Sequence, residues 1–115
     1  MKLSVQQIGG VSVLNIGGEL DARTAPQVTS FFQEKVASHS TKIVINLKGL
    51  EYSSSAGIRV FLGMAREMRN QGGDLRIAEV DPRVDKVFRL SKFDKIVKIF
   101  PAVEDAVNSF QSDSK

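Results

Sequence analysis

The spacing of hydrophobic positions changes several times along this chain, and each change marks an element. Residues 2–8 and 11–16 are short β-rich runs separated by Gly9-Gly10, which can take the positive φ angles of a two-residue primed turn, so a hairpin is expected at the amino end. The period then becomes helical: Thr24 can cap, Pro26 fits the first turn, and Ala25, Val28, Phe32 and Val36 share a face of a helix ending near Ser38. Residues 43–47, Ile-Val-Ile-Asn-Leu, are almost continuously apolar, as in a central strand of a parallel sheet covered on both faces. Residues 55–70 place Ile58, Phe61, Leu62, Ala65 and Met68 in one stripe, with Arg66 and Arg69 in the last turns and Gly72-Gly73 able to close the helix. Gly63 inside it costs roughly 1 kcal/mol against alanine, so it marks either close packing against a neighbour or a tolerated glycine.

Residues 75–80 read as a strand. Asp81-Pro82 then supplies a cap and a first-turn proline for a helix that turns Val84, Val87 and Phe88 inward. Residues 96–100 form the next expected strand, and Val103, Ala106, Val107 and Phe110 after Pro101 make a last amphipathic helix. The order ββαβαβαβα predicts an α/β domain over residues 1–110: a mostly parallel sheet of about five strands, an N-terminal hairpin and four or five helices. Residues 111–115 are expected to be a polar tail. In such sheets, sites gather where loops leave the carboxyl ends of strands, which singles out residues 17–21 and 48–56.

Composition removes most other chemistry. At 115 residues the chain is the size of one domain, and 42% hydrophobic with 25% charged residues is ordinary for a globular protein. Without Cys there is no disulfide, thiolate nucleophile or Cys-based zinc site, and the single His39, expected at the end of the first helix, cannot form a His cluster. No metal or cofactor site is expected. No apolar run approaches the roughly 18 residues of a membrane span, and Met1-Lys2-Leu3 leads into polar sequence rather than a signal-peptide core, so the expectation is a cytoplasmic protein without membrane contact. The net charge of +3 equals the excess of Arg83, Lys86, Arg89, Lys92, Lys95 and Lys98 over Asp81, Asp85 and Asp94. Aspartates interrupt that run, which reads as a solvated helix face rather than the dense basic face of a nucleic-acid surface.

The segment Ser53-Ser54-Ser55-Ala56-Gly57 lies between a buried strand and a helix, the setting of a hydrolase nucleophile elbow. Ser53 stands where that motif needs its first Gly, however, and His39 precedes the serines instead of following them. A receiver domain would need an acidic pair after the first strand and an Asp ending the third, which this chain lacks. No G-x-x-x-x-G-K-[ST] phosphate loop occurs either. No catalytic residue is therefore expected. Two readings of the serines remain: helix-capping hydroxyls, or a phosphate acceptor at a helix start where a dianion is tolerated.

Gly18-Glu19-Leu20-Asp21, together with the stretch from Ile45-Asn46-Leu47 through Tyr52-Ser53-Ser54-Ser55-Ala56-Gly57-Ile58-Arg59-Val60, resembles the STAS domain of bacterial anti-sigma-factor antagonists over nearly the whole chain. The resemblance implies that Ser55 is phosphorylated by an anti-sigma serine kinase using ATP, that a protein serine phosphatase reverses this, and that the unphosphorylated form binds the kinase and frees the sigma factor. It further implies a free monomer whose partner surface includes Glu19, Asp21, Ser54, Ala56, Gly57 and Ile58. The best-known members carry an acid where Ser54 stands and a second hydroxyl residue where Ala56 stands, so Ser54 is the alternative acceptor. Asp21 is read either as a kinase contact or as a turn residue before the first helix. The other function considered is a STAS scaffold module of a transporter or sensory complex without serine control.

Overall fold

The computed structural model describes residues 1–38 and 40–113, with side chains through Gln111. The placement of His39 and the last two residues of the expected tail lie outside the described residues. The strands are β1 (Lys2–Ile8), β2 (Val11–Leu20), β3 (Lys42–Asn46), β4 (Leu50–Ser53), β5 (Asp74–Ala78) and β6 (Ile99–Phe100). The helices are α1 (Ala25–Lys35), α2 (Ser55–Asn70), α3 (Pro82–Leu90) and α4 (Val103–Asp113), with one 3-10 turn at Phe93–Lys95. The sheet order is β1-β2-β3-β5-β6, with β4 paired to β2 alone. Among the described residues only the β1–β2 hairpin is antiparallel.

β3 is central, between β2 and β5, and its alternation explains its unbroken apolar sequence. Ile43 and Ile45 join the large core beneath α1, α2 and α3, whereas Val44 joins a smaller one with Val11, Val13, Ala78 and the α4 residues Ala106, Val107 and Phe110. Every side chain of this strand from Ile43 to Ile45 is therefore fully buried. Phe61 of α2 meets Phe88 of α3 edge-on at 6.1 Å, and Phe93 packs tilted against Phe88 at 4.7 Å, which ties the helices over the sheet. Arg76, buried beneath α4, lies 4.0 Å over the Phe110 ring and donates to Ser109 Oγ at 2.6 Å.

The sheet departs from the sequence reading at three places, and two helix ends differ as well. β2 continues to Leu20 instead of ending at Ile16: Gly17 and Gly18 stay in the strand, with Gly18 at φ +110° and its N–H donating to Gly49 O at 2.9 Å, and the pairing with β4 shifts register after Gly18, leaving Glu51 of β4 as the extra residue. The part of residues 48–56 expected as loop contains β4, hidden from hydrophobic patterning because Glu51 and Tyr52 are exposed. β6 shrinks to two residues, since Ile96 turns outward at 51% exposure after the 3-10 turn while Val97 is fully buried. Helix α1 stops at Lys35, short of Ser38, and α4 runs beyond Phe110 to Asp113, so residues 111–113 are helical.

The structure also decides between the two readings of Gly63. It is exposed, and a Cβ built there meets nothing within 4 Å, so close packing is not its reason. Gly63→Ala should raise stability by up to about 1 kcal/mol, measured by denaturant unfolding. A loss of stability would show that the helix needs glycine there after all.

Candidate functional site

β2 and β4 run parallel, with Leu20 paired to Ser53, so the chain leaving each strand emerges on the same edge. Asp21 follows one strand and Ser54-Ser55 the other. Ser54 N–H donates to Leu20 O at 2.9 Å, which fixes the start of α2 against the end of β2.

That placement gives the three serines three separate environments. Ser53 is buried at 3% exposure, and its hydroxyl donates to Ser54 O at 3.1 Å. Ser54 is the helix cap: its backbone is extended, and its Oγ accepts from Ala56 N–H at 3.2 Å, relieving one of the unpaired donors of the first turn. Ser55 is the first helical residue, exposed, and its hydroxyl makes no hydrogen bond among the described residues. Ala56 is half-buried, while Gly57 and Ile58 are buried below the loop. A Cβ on Gly57 would press on Ser53 Oγ and come within 2.8 Å of Leu20 Cδ2, so only glycine lets α2 approach β2 and β4 this closely.

The loop after β2 is held by its own side chains. Asp21 Oδ1 accepts from Arg23 N–H at 2.9 Å and Thr24 N–H at 3.2 Å, and Oδ2 accepts from the Arg23 guanidinium at 3.1 Å. The turn reading of Asp21 is therefore satisfied by geometry. Thr24, expected to cap α1, makes no side-chain cap bond; its hydroxyl donates instead to Glu19 O at 2.8 Å. The Arg23 guanidinium bond, aided by the two backbone donors and working against desolvation, holds the Asp21 carboxyl below its usual range. A depressed carboxyl steadies the turn above its unfolded pKa, and that support is lost as the pH falls through the folded value.

Glu19 is exposed beside its cross-strand partner Tyr52, which is 51% exposed. Strand alternation sets Glu19 and Tyr52 on the face opposite Leu20 and Ser53, the pair against which α2 packs. Tyr52 and Arg59 belong to the stretch that carries the family resemblance but were not singled out there: β4, which exposes Tyr52, shows no hydrophobic alternation, and Arg59 is marked only by its place on the exposed face of α2, four residues after Ser55. Among the described residues no cluster of metal-binding side chains occurs. Within the basic stretch the three aspartates hold the two arginines, Arg83 with Asp81 at 3.1 Å and Arg89 with Asp85 at 2.7 Å and Asp94 at 3.4 Å, while the four lysines are exposed. No helix among the described residues is long and apolar enough to cross a membrane.

Comparison with known proteins matches the STAS domain over residues 2–106. The chain belongs to the STAS domain family. This STAS domain is 31% identical to BtrV of Bordetella bronchiseptica over 112 residues, covering 97% of each chain. It is 27% identical to the anti-sigma F factor antagonist of Paenibacillus polymyxa, covering 95% of this chain and 92% of that protein. Its fold is that of SpoIIAA, a Bacillus anti-sigma factor antagonist whose structure is known in two forms at 22% identity. The unphosphorylated form superimposes with a TM-score of 0.77, covering 96% of this chain and 97% of that one. For the phosphorylated form the TM-score is 0.71, covering 95% and 99%.

Proposed function

We propose that this STAS domain is an anti-sigma-factor antagonist switched by phosphorylation of Ser55. Unphosphorylated, it binds an anti-sigma factor that is also a serine kinase and thereby releases the sigma factor. In the kinase reaction Ser55 Oγ bonds to the γ-phosphorus of ATP, the bond to the bridging oxygen breaks to release ADP, and the hydroxyl proton passes to a base on the kinase. A phosphatase restores the hydroxyl by hydrolysis. The chain is thus substrate and ligand, not enzyme.

The observation that carries this reading is the unequal use of the three serines. Ser53 is buried and Ser54 is occupied in capping, whereas Ser55 is exposed with an unused hydroxyl at the carboxyl edge of the sheet. Relatives named as anti-sigma factor antagonists, and a structural neighbour known with and without phosphate, point the same way. Glu19, Asp21, Ser54 and Ala56 would border the docked partner, with Gly57 and Ile58 shaping the loop from beneath.

Incubation with ATP and the cognate kinase should add one phosphate, mapped to Ser55 by peptide mass spectrometry. Ser55→Ala should abolish labelling with stability changed by no more than about 0.5 kcal/mol, as for a surface substitution. Ser54→Ala should retain labelling yet lose about 1 kcal/mol, because it removes a helix cap. A phosphate found on Ser54 alone would overturn the assignment.

A further inference from the structure

A phosphate on the exposed Ser55 would be favoured by a counter-charge, and the arginines around the site are not equally free to supply one. Arg23 is engaged by Asp21 at 3.1 Å and Arg83 by Asp81 at 3.1 Å. Arg59 is exposed and, among the described residues, makes no hydrogen bond or ion pair. It sits on the same helix as Ser55, one turn further along, where it borders the groove between α1 and α2 with Val60, Gly63 and Glu67. Residues at i and i+4 on a helix are neighbours, and an anion placed N-terminal to a cation is the favourable order. The other charges near this edge, Glu19 on β2 and Glu51 on β4, are acidic and would repel a phosphate.

Resting on the proposed phosphorylation of Ser55, we infer that Arg59 is the clamp for that phosphate: its guanidinium pairs with the phosphoserine oxygens within α2. The planar fork suits two parallel N–H···O bonds to phosphate. Pairing also draws the Arg59 side chain toward the Ser55 end of α2 and away from the α1–α2 groove. The modification therefore changes the charge of the groove rim as well as that of the loop. No backbone movement is needed, because both residues belong to one regular helix.

The test uses the full chain with phosphoserine installed at position 55 during synthesis, so that it does not depend on any kinase. The second phosphate ionisation is followed by phosphorus NMR. Because a cation favours the dianion, the wild-type phosphoserine should titrate lower than that of Arg59→Gln by about 0.3 pH unit at low ionic strength. Arg59→Lys should recover part of that difference, and about 1 M salt should erase it. Arg23→Gln should leave the titration unchanged. Identical curves for wild type and Arg59→Gln would overturn the clamp, as would a larger shift from Arg23→Gln. Partner affinity measured on the same samples separates the two readings: if phosphoserine leaves binding unchanged the partner switch fails, while the Arg59 titration still judges the clamp.

Discussion

Partner affinity should fall about a thousandfold when Ser55 is phosphorylated, while the backbone of the domain stays as it is. Each decade of affinity corresponds to about 1.4 kcal/mol, so the phosphate must disfavour the complex by roughly 4 kcal/mol. Burying a polar group without a partner costs about 1–3 kcal/mol, and a dianion costs more, whereas an exposed helix dipole returns only about 0.3–1 kcal/mol. Desolvation at the interface is therefore sufficient. Nothing within the domain has to break to admit the phosphate, since the Ser55 hydroxyl has no hydrogen bond among the described residues and the capping bond belongs to Ser54. Calorimetric titration of the kinase with both forms measures the loss, and amide chemical shifts test the mechanism. Shifts confined to residues around Ser55 and the first turns of α2 are expected; changes reaching the β1–β2 hairpin would mean a conformational switch instead.

Gly57→Ala should destabilise the domain by about 1–3 kcal/mol, the range for overpacking a filled core. Helix propensity alone argues the opposite sign, because alanine is favoured over glycine by about 1 kcal/mol inside a helix. Packing wins here: the new methyl would press on Ser53 Oγ and come within 2.8 Å of Leu20 Cδ2, and both residues are buried in the paired ends of β2 and β4. Thermal unfolding should show a lowered midpoint, by roughly 4 °C or more per kcal/mol for a domain of this size. Ser53→Ala removes one of the colliding atoms, so Gly57→Ala should cost less in that background. An unchanged midpoint would mean that α2 can move off the sheet without loss.

Two glycines in one helix thus carry opposite predictions, and the sequence does not separate them. Gly57 and Gly63 both interrupt the same amphipathic pattern, yet one lies against β2 and β4 and the other opens onto a groove. Hydrophobic period reports which face of an element is buried, not how far its backbone stands from the next one. β4 escaped for a related reason: its polar, exposed Glu51 and Tyr52 show no alternation, and what makes the segment a strand is its hydrogen bonding to the far end of β2.

Local pattern was sufficient for the elements that bury a continuous face. The apolar run of β3, bounded by polar residues, is too short for a helix and fits a strand covered on both sides, and the stripe of α2 fits a helix with one buried face, so the α/β class and the carboxyl-edge position of the serines followed from the order of elements. The division of labour among Ser53, Ser54 and Ser55 did not follow, because three adjacent hydroxyls are chemically alike along a chain. Their roles differ only after Leu20 O receives the Ser54 N–H and Gly57 lets α2 close on β2 and β4, contacts that join residues more than thirty positions apart. Those long-range contacts bury one hydroxyl, engage the second as a cap and leave the third in solvent.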